Sequence, residues 1–152
     1  MYPKTIEFLL PMDPEAQQRH RDGELVKKAD GKTFTRKYDP SKKSKTDFRM
    51  TCLSLVPKTL LDGPLQMECR FIFPRPKHHY VAGDRSRPLK ANAPDWVEKK
   101  PDLDNLIKFI KDALKGFYFH DDAQIARYGE MEKLYGEEPS IKIKISQIYR
   151  QC

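Results

Sequence analysis

The amino-acid sequence predicts an α/β (α+β) fold, a small mixed β-sheet flanked by two helices. Three segments carry that expectation. Leu65–Phe73 alternates apolar and polar residues through Leu65, Met67, Cys69, Phe71 and Phe73. The segment from Ile141 to Ile148 does the same, with Ile141, Ile143 and Ile145 set against Lys142, Lys144 and Ser146. A period of two puts one face of each strand in a core and the other in water. Between them, Leu103, Ile107, Ile110 and Leu114 form an apolar stripe at helical spacing, widened by Leu106 and Ala113.

The other elements follow along the chain. Thr5–Leu10 reads as a short strand closed by Pro11 and Pro14. Residues 11–45 are polar, basic and poor in aliphatic side chains, which predicts a surface excursion. From Ser41 to Val56, the positions of Phe48, Cys52, Leu53, Leu55 and Val56 suit a helix with a basic first half and a buried second half, ending before Pro57. Pro74 stops the Leu65–Phe73 strand. Residues 74–101 hold five of the twelve prolines and no sustained periodicity, and so long a loop in a compact domain is usually functional or disordered. The stripe helix runs from about Leu103 to Lys115, with Gly116 as its stop. Gln124–Tyr135 and Ile141–Ile148 are expected to pair as a hairpin across residues 136–140. We expect a single domain over residues 1–152, with basic loops at about 11–45 and 74–100 and no internal repeat.

The chain has 152 residues, of which 38% are apolar, enough for one modest core. Its net charge is +7, and the distribution says more than the total. Residues 27–49 contribute +6 and residues 75–100 contribute +4, so the rest of the chain sums to −3. Basic segments around an acidic focus suit a protein that draws a polyanion to a metal-dependent reaction. Cys52, Cys69 and Cys152 lie far apart, with no CxxC, which argues against a disulfide framework or a zinc finger. No signal segment opens the chain, and no apolar run approaches the roughly 18 residues of a membrane span. A soluble, cytoplasmic protein with no membrane partner is expected.

The acidic focus is PDLDNLIKFIKDALKGFYFHDDAQI, residues 101–125, with five carboxylates and three lysines. Asp102 and Asp104 flank the inward-pointing Leu103, so both carboxylates can face one point where the chain enters the helix. Lys108 follows one turn after Asp104, and Asp112 one turn later. Asp121 and Asp122 come just after the helix. Carboxylates completed by water and substrate phosphate are what Mg²⁺ prefers, and a nearby lysine neutralises charge that develops on phosphorus-bound oxygens. Each residue also has an ordinary structural reading. Asp102 can cap the helix, Lys108 can pair with Asp104 at i,i+4, Asp112 can support the helix, and Asp121-Asp122 can be a polar turn.

Taken together, the order PDLDN-x2-K-x3-DAL-x-G-x4-DD-x-Q resembles the core motif of the RusA-type Holliday junction resolvases, small endonucleases associated largely with phages and prophages. The resemblance implies a RusA-like fold and a metal-dependent, homodimeric endodeoxyribonuclease of bacterial cells. It implies paired symmetrical nicks across four-way DNA junctions in recombination and repair, leaving 5′-phosphate and 3′-hydroxyl ends. Carried onto this chain, it makes Asp102, Asp104 and Asp122 ligands of Mg²⁺ (or Mn²⁺), with Asp121 a weaker candidate than Asp122. Lys108 becomes the electrophilic or base-assisting residue. We expect DNA contacts from Lys42, Lys43, Lys45 and Arg49, and from Lys77, Arg85, Arg87, Lys90, Lys99 and Lys100. Tyr80 and Trp96 in the second group could stack on an unpaired base at the branch point, the alternative being a flexible, merely soluble loop. Adjacent rings such as His78-His79 seldom reach one metal ion. The competing readings are a broader nuclease of flaps and forks, and a basic DNA-binding protein without catalysis.

Overall fold

The computed structural model describes residues 4–149, and Cys152 lies outside them. The alternating segments form β1 (Thr5–Leu10), β4 (Leu65–Pro74), β5 (Ile125–Gly136) and β6 (Ser140–Gln147). They make one sheet in the order β1-β6-β4-β5. β6 is antiparallel to β1 and β4, whereas β5 runs parallel to β4, so the sheet is mixed. A parallel pair needs a crossover, and α2 (Leu103–Leu114) lies on the connection from β4 to β5. Its stripe of Leu106, Ile110, Ala113 and Leu114 packs in one core with Leu65, Met67, Cys69 and Phe71 of β4 and Ile141, Ile143 and Ile145 of β6. Phe48 and Cys52 from α1 (Lys42–Cys52) complete that layer. The opposite sheet face is polar and carries ion pairs such as Lys142–Glu7 at 2.9 Å and Lys144–Glu68 at 3.4 Å.

Burial raises the thiol of Cys52 to about 11 and that of Cys69 to about 12, so both remain protonated core groups and not nucleophiles. Among the described residues, no helix is long and apolar enough to cross a membrane.

Three expectations change. β5 and β6 are not a hairpin, because β4 lies between them. Pro74 pairs with Gly136 and Ile72 with Ser140, so residues 137–139 pass over the end of β4. Two strand spacings amount to about 10 Å. Four peptide links reach roughly 13 Å, so this short connection suffices.

Residues 11–45 are a surface excursion only in part. Met12 and Ala16 pack against the core and Ser41 and Lys45 are buried, while the middle of the segment forms β2 (Arg21–Lys27) and β3 (Thr33–Tyr38), a separate antiparallel ribbon. Every side chain of the ribbon is exposed except that of Val26, which is half-buried. With no buried face, it has no alternation to display.

The second half of α1 is not its buried half. One narrow stripe, Lys45, Phe48 and Cys52, faces the core. The chain then tightens into a 3₁₀ turn over Leu53–Leu55, leaving Leu53 and Leu55 exposed.

The proline-rich loop is ordered by specific bonds. It opens with short 3₁₀ turns at Lys77–His79 and Val81–Gly83, then runs beside the outer edge of β5. There Trp96 bridges Leu134, the Val97 amide donates to the Lys133 carbonyl at 3.0 Å, and the Tyr135 amide donates to the Asp95 carbonyl at 2.8 Å. Buried Arg75 ties the two ends of the loop together, donating to the Pro94 carbonyl at 2.7 Å and to Asp95 Oδ1 at 3.0 Å. This covering segment shields part of a sheet edge that would otherwise expose unpaired amides.

Candidate active site

The start of α2 is set from outside the helix. Lys133 Nζ of β5 donates to the carbonyls of Lys99 at 2.8 Å and Pro101 at 2.9 Å, fixing the chain just before Asp102. Asp102 is the N-cap residue, with extended backbone, and its carbonyl accepts the Leu106 amide at 3.2 Å. Its side chain makes no capping hydrogen bond, so the simple capping role does not account for this carboxylate. Asp104 in the first turn, Lys108 one turn on and Lys111 beyond it share a helix flank beside the apolar stripe. They open onto a cleft of about 420 Å³, which Asp122 and Tyr128 also line. Among the described residues, no ion pair involves Asp104, Lys108 or Lys111. The i,i+4 pairing considered for Asp104 and Lys108 is therefore absent. Lys111 Nζ lies over the Tyr128 ring, 5.6 Å from its centroid.

Asp122 reaches the cleft because its neighbours hold the turn. Gly116, at φ +81°, ends α2 in a conformation that other residues adopt only under strain. The chain then doubles back into a 3₁₀ turn over Asp122–Gln124. Asp121 caps that turn, Oδ1 accepting the Ala123 amide at 2.9 Å, while Gln124 Oε1 accepts the Asp121 amide at 3.0 Å and the His120 amide at 2.7 Å. The other end of the Gln124 amide donates to the carbonyls of Leu61 and Gly63, each at 3.0 Å, and so locks the turn to the segment before β4. The Ala123 amide, and then Lys115 at 3.1 Å, pull the Asp121 carboxyl down to about 2. The two neighbours therefore divide the work: Asp121 holds the turn and Asp122 lines the cleft.

Asp104, Lys108 and Asp122 come together, whereas Asp102 is exposed at the helix cap and does not line the cleft. Among the described residues, no three carboxylate, imidazole or thiolate side chains form a ready metal cluster, so the expected three-aspartate ligand set is not assembled. Two carboxylates in an open cleft do fit Mg²⁺, which binds through one or two of them and keeps waters and substrate phosphate.

The basic residues divide as well. Lys42, Lys43, Lys77, Arg85, Arg87, Lys90, Lys99 and Lys100 are exposed. Arg85 also donates to the Arg75 carbonyl at 3.2 Å, and Arg87 lies 3.9 Å from Asp84. Lys45 and Arg49 are corrections to the expected DNA-contact set. Lys45 is buried between Asp39 at 2.7 Å and Asp112 at 3.3 Å. Burial works against the Asp39 carboxylate, but hydrogen bonds from Lys45, the Ser41 amide and Gln17 outweigh it and hold its pKa below the usual value. Arg49 donates to the carbonyls of Ala113 at 2.6 Å and Asp112 at 3.0 Å, placing its cation at the C-terminal end of α2. Both residues join α1 to α2, and Asp112 has the helix-supporting role considered for it.

Sequence reasoning missed Lys111, Tyr128 and the locking role of Gln124. Lys111 had a readable signal, since it lies three residues after Lys108 on the same helix flank. Tyr128 had none, because only the β4–β5 crossover brings it to α2.

The family model described as Endodeoxyribonuclease RusA matches residues 11–146. The chain is also similar to the Uncharacterized protein YqaN of Bacillus subtilis (strain 168), at 30% identity over 146 residues, which is 94% of this chain and 96% of that protein. Both α2 and the turn that carries Asp122 lie inside the family match.

Proposed function

The chain belongs to the RusA family of endodeoxyribonucleases, and from that premise we propose that it resolves four-way DNA junctions by metal-dependent hydrolysis of paired phosphodiester bonds. The observation that carries this reading is the cleft shared by Asp104, Lys108 and Asp122. A DNA-binding surface gains nothing from carboxylates facing phosphate unless a cation lies between them.

Asp104 and Asp122 would hold Mg²⁺, or Mn²⁺ in its place, with Asp102 available from the helix cap. When bound, such a cation polarises the scissile phosphate and makes water easier to deprotonate. Lys108 stabilises the negative charge that builds on the non-bridging oxygens, and Lys111 adds a second positive charge on the same flank. Water supplies the oxygen retained on the 5′-phosphate. The bond from phosphorus to the 3′ oxygen breaks, and a proton delivered to that oxygen leaves a 3′-hydroxyl. Two symmetrical nicks call for two such sites related by a two-fold axis, so we read the active species as a homodimer. Exposed lysines and arginines of the 21–38 ribbon and the 75–100 loop would neutralise backbone phosphates.

The test is cleavage of an end-labelled four-way junction, with a matched duplex and a flap, in Mg²⁺ and in EDTA. The expected result is symmetrical nicks in the junction alone, lost in EDTA and reduced at least ~100-fold in Asp104→Asn, as for loss of one transition-state electrostatic contact. An Asp104→Asn protein with full activity would overturn the site. Cutting of all three substrates would replace the junction reading with a broader nuclease, and tight binding without cutting would leave a DNA-binding protein.

A further inference from the structure

A second recess, of about 300 Å³, lies between the pinned loop and the end of β5. Trp96, Tyr135, His78 and His79 contribute aromatic walls, and Lys90 and Lys99 contribute two cations. Trp96 is the only tryptophan of the chain, and it is 63% exposed although its backbone is bridged to Leu134. A rigid aromatic held open to water on a fixed backbone gives up little conformational freedom when a second ring stacks on it. Tyr135 is braced from behind by the edge of His79, with centroids 4.8 Å apart at 86°, and by the Arg75 guanidinium 5.9 Å from its ring.

His79 is buried, and its Nδ1 has no hydrogen-bond partner. Burial first, then the positive charges of His78, Arg75, Lys99 and Lys90, keep its pKa below the usual value. Neither Lys90 nor Lys99 is in an ion pair among the described residues. The recess thus combines an open ring face with uncompensated positive charge, and Glu98 on its wall is the one carboxylate. Its volume is at the lower end for small-ligand pockets, which suits a single base and not a duplex.

We propose that this recess receives one unpaired nucleotide of the branched substrate, its base stacked on Trp96 and its flanking phosphates held by Lys90 and Lys99. The proposal rests on the endonuclease reading and adds a means of sensing the branch. Lys99 precedes Asp102 by three residues, at most about 11 Å of chain, so the recess adjoins the start of α2. Bases inside a duplex hide their faces in the stack, and turning one out costs least where pairing is already broken or weakened, as at a branch point with an unpaired nucleotide. A recess that accepts only such a base marks the branch point within a few nucleotides of the cleft.

The test uses the emission of Trp96 in the intact protein, in EDTA so that no cleavage occurs. We expect saturable quenching by a short single-stranded oligothymidylate and by a four-way junction with an unpaired nucleotide at the crossover, and little by a duplex of equal length. In the Lys90→Ala/Lys99→Ala double variant the dissociation constant should rise about tenfold. The slope of log affinity against log salt should fall by about 1.4, two contacts at roughly 0.7 each for a single strand. Equal quenching by duplex, absence of quenching, or an unchanged salt slope would overturn the proposal. The same titration beside a cleavage assay of the wild-type protein in Mg²⁺ separates the two readings. Quenching in a wild-type protein that cleaves no substrate in Mg²⁺ would sink the nuclease and keep the recess, and wild-type cleavage without quenching would sink the recess alone.

Discussion

The ribbon of residues 21–38 and the loop of residues 75–100 are both basic and both lie outside the four-stranded sheet, yet they are held in different ways. β2 and β3 pair with each other alone, and their side chains are almost all in water. The loop is bonded to the edge of β5 and closed by a buried arginine. A cation on a self-paired ribbon can follow a phosphate backbone, whereas a cation on a fastened loop sits at a set distance from the cleft. Charge alone does not distinguish these cases. Anchoring does: the loop's cations are held against the sheet edge, and the ribbon's are not.

The largest effect should come from unfastening the loop. Arg75→Ala removes two charge-assisted hydrogen bonds of a buried guanidinium, one of them to the largely exposed Asp95 carboxylate, and should lower stability by about 2 kcal/mol in urea unfolding. Amide exchange should quicken across residues 77–97 while the ribbon is unchanged. A variant with wild-type stability would mean that the loop is not held as described. Next, replacing residues 21–38 with a short Gly-Ser linker should leave stability within about 1 kcal/mol of the parent, since those side chains bury almost nothing. Junction affinity at ~0.15 M salt should fall about tenfold and its salt slope should become shallower. Loss of folding would show that the ribbon belongs to the core after all.

The smallest effect concerns the foot of the ribbon. Asp39 follows β3 and has a pKa below the usual 3.8 in the folded state, with Lys45 as its chief hydrogen-bond partner. A carboxyl depressed on folding stabilises fully above its unfolded value, and that contribution disappears as pH falls through the folded one. The stability difference between wild type and Asp39→Asn should therefore be constant above about pH 5 and shrink below about pH 4. A difference that stays flat to pH 3 would show that the ion pair contributes nothing at the foot.

What the sequence made legible follows from burial. β1, β4 and α2 could be read almost to their ends because each has one buried face and therefore a period. The ribbon was invisible for the opposite reason, since Leu25, Phe34 and Tyr38 are exposed and mark no inner side. The hairpin expected between β5 and β6 failed because closeness in sequence favours direct pairing, while the parallel crossover through α2 put β4 between them. Asp104, Lys108 and Asp122 were legible as a motif. The difference between Asp121 and Asp122 could not be read from the motif, because it lies in the bonds of Asp121 to Ala123 and Gln124, while Lys115 lies near both carboxylates. Lys45 misled because a lysine among lysines reads as surface, and its partners lie six and sixty-seven residues away.

α2 carries the core stripe on one side and Asp104, Lys108 and Lys111 on an adjoining one. Each residue advances a helix by about 100°. One codon gained or lost within residues 105–107 would swing Lys108 and Lys111 out of register with the cleft and pull Leu106 or Ile110 out of the core in the same event. Descendants of this gene can thus explore the helix by substitution, testing lysine against arginine or leucine against isoleucine, but not by changing its length. Variation in length should collect instead in the ribbon turn at residues 28–32, whose side chains are exposed and where an added residue disturbs only the turn's own hydrogen bonds.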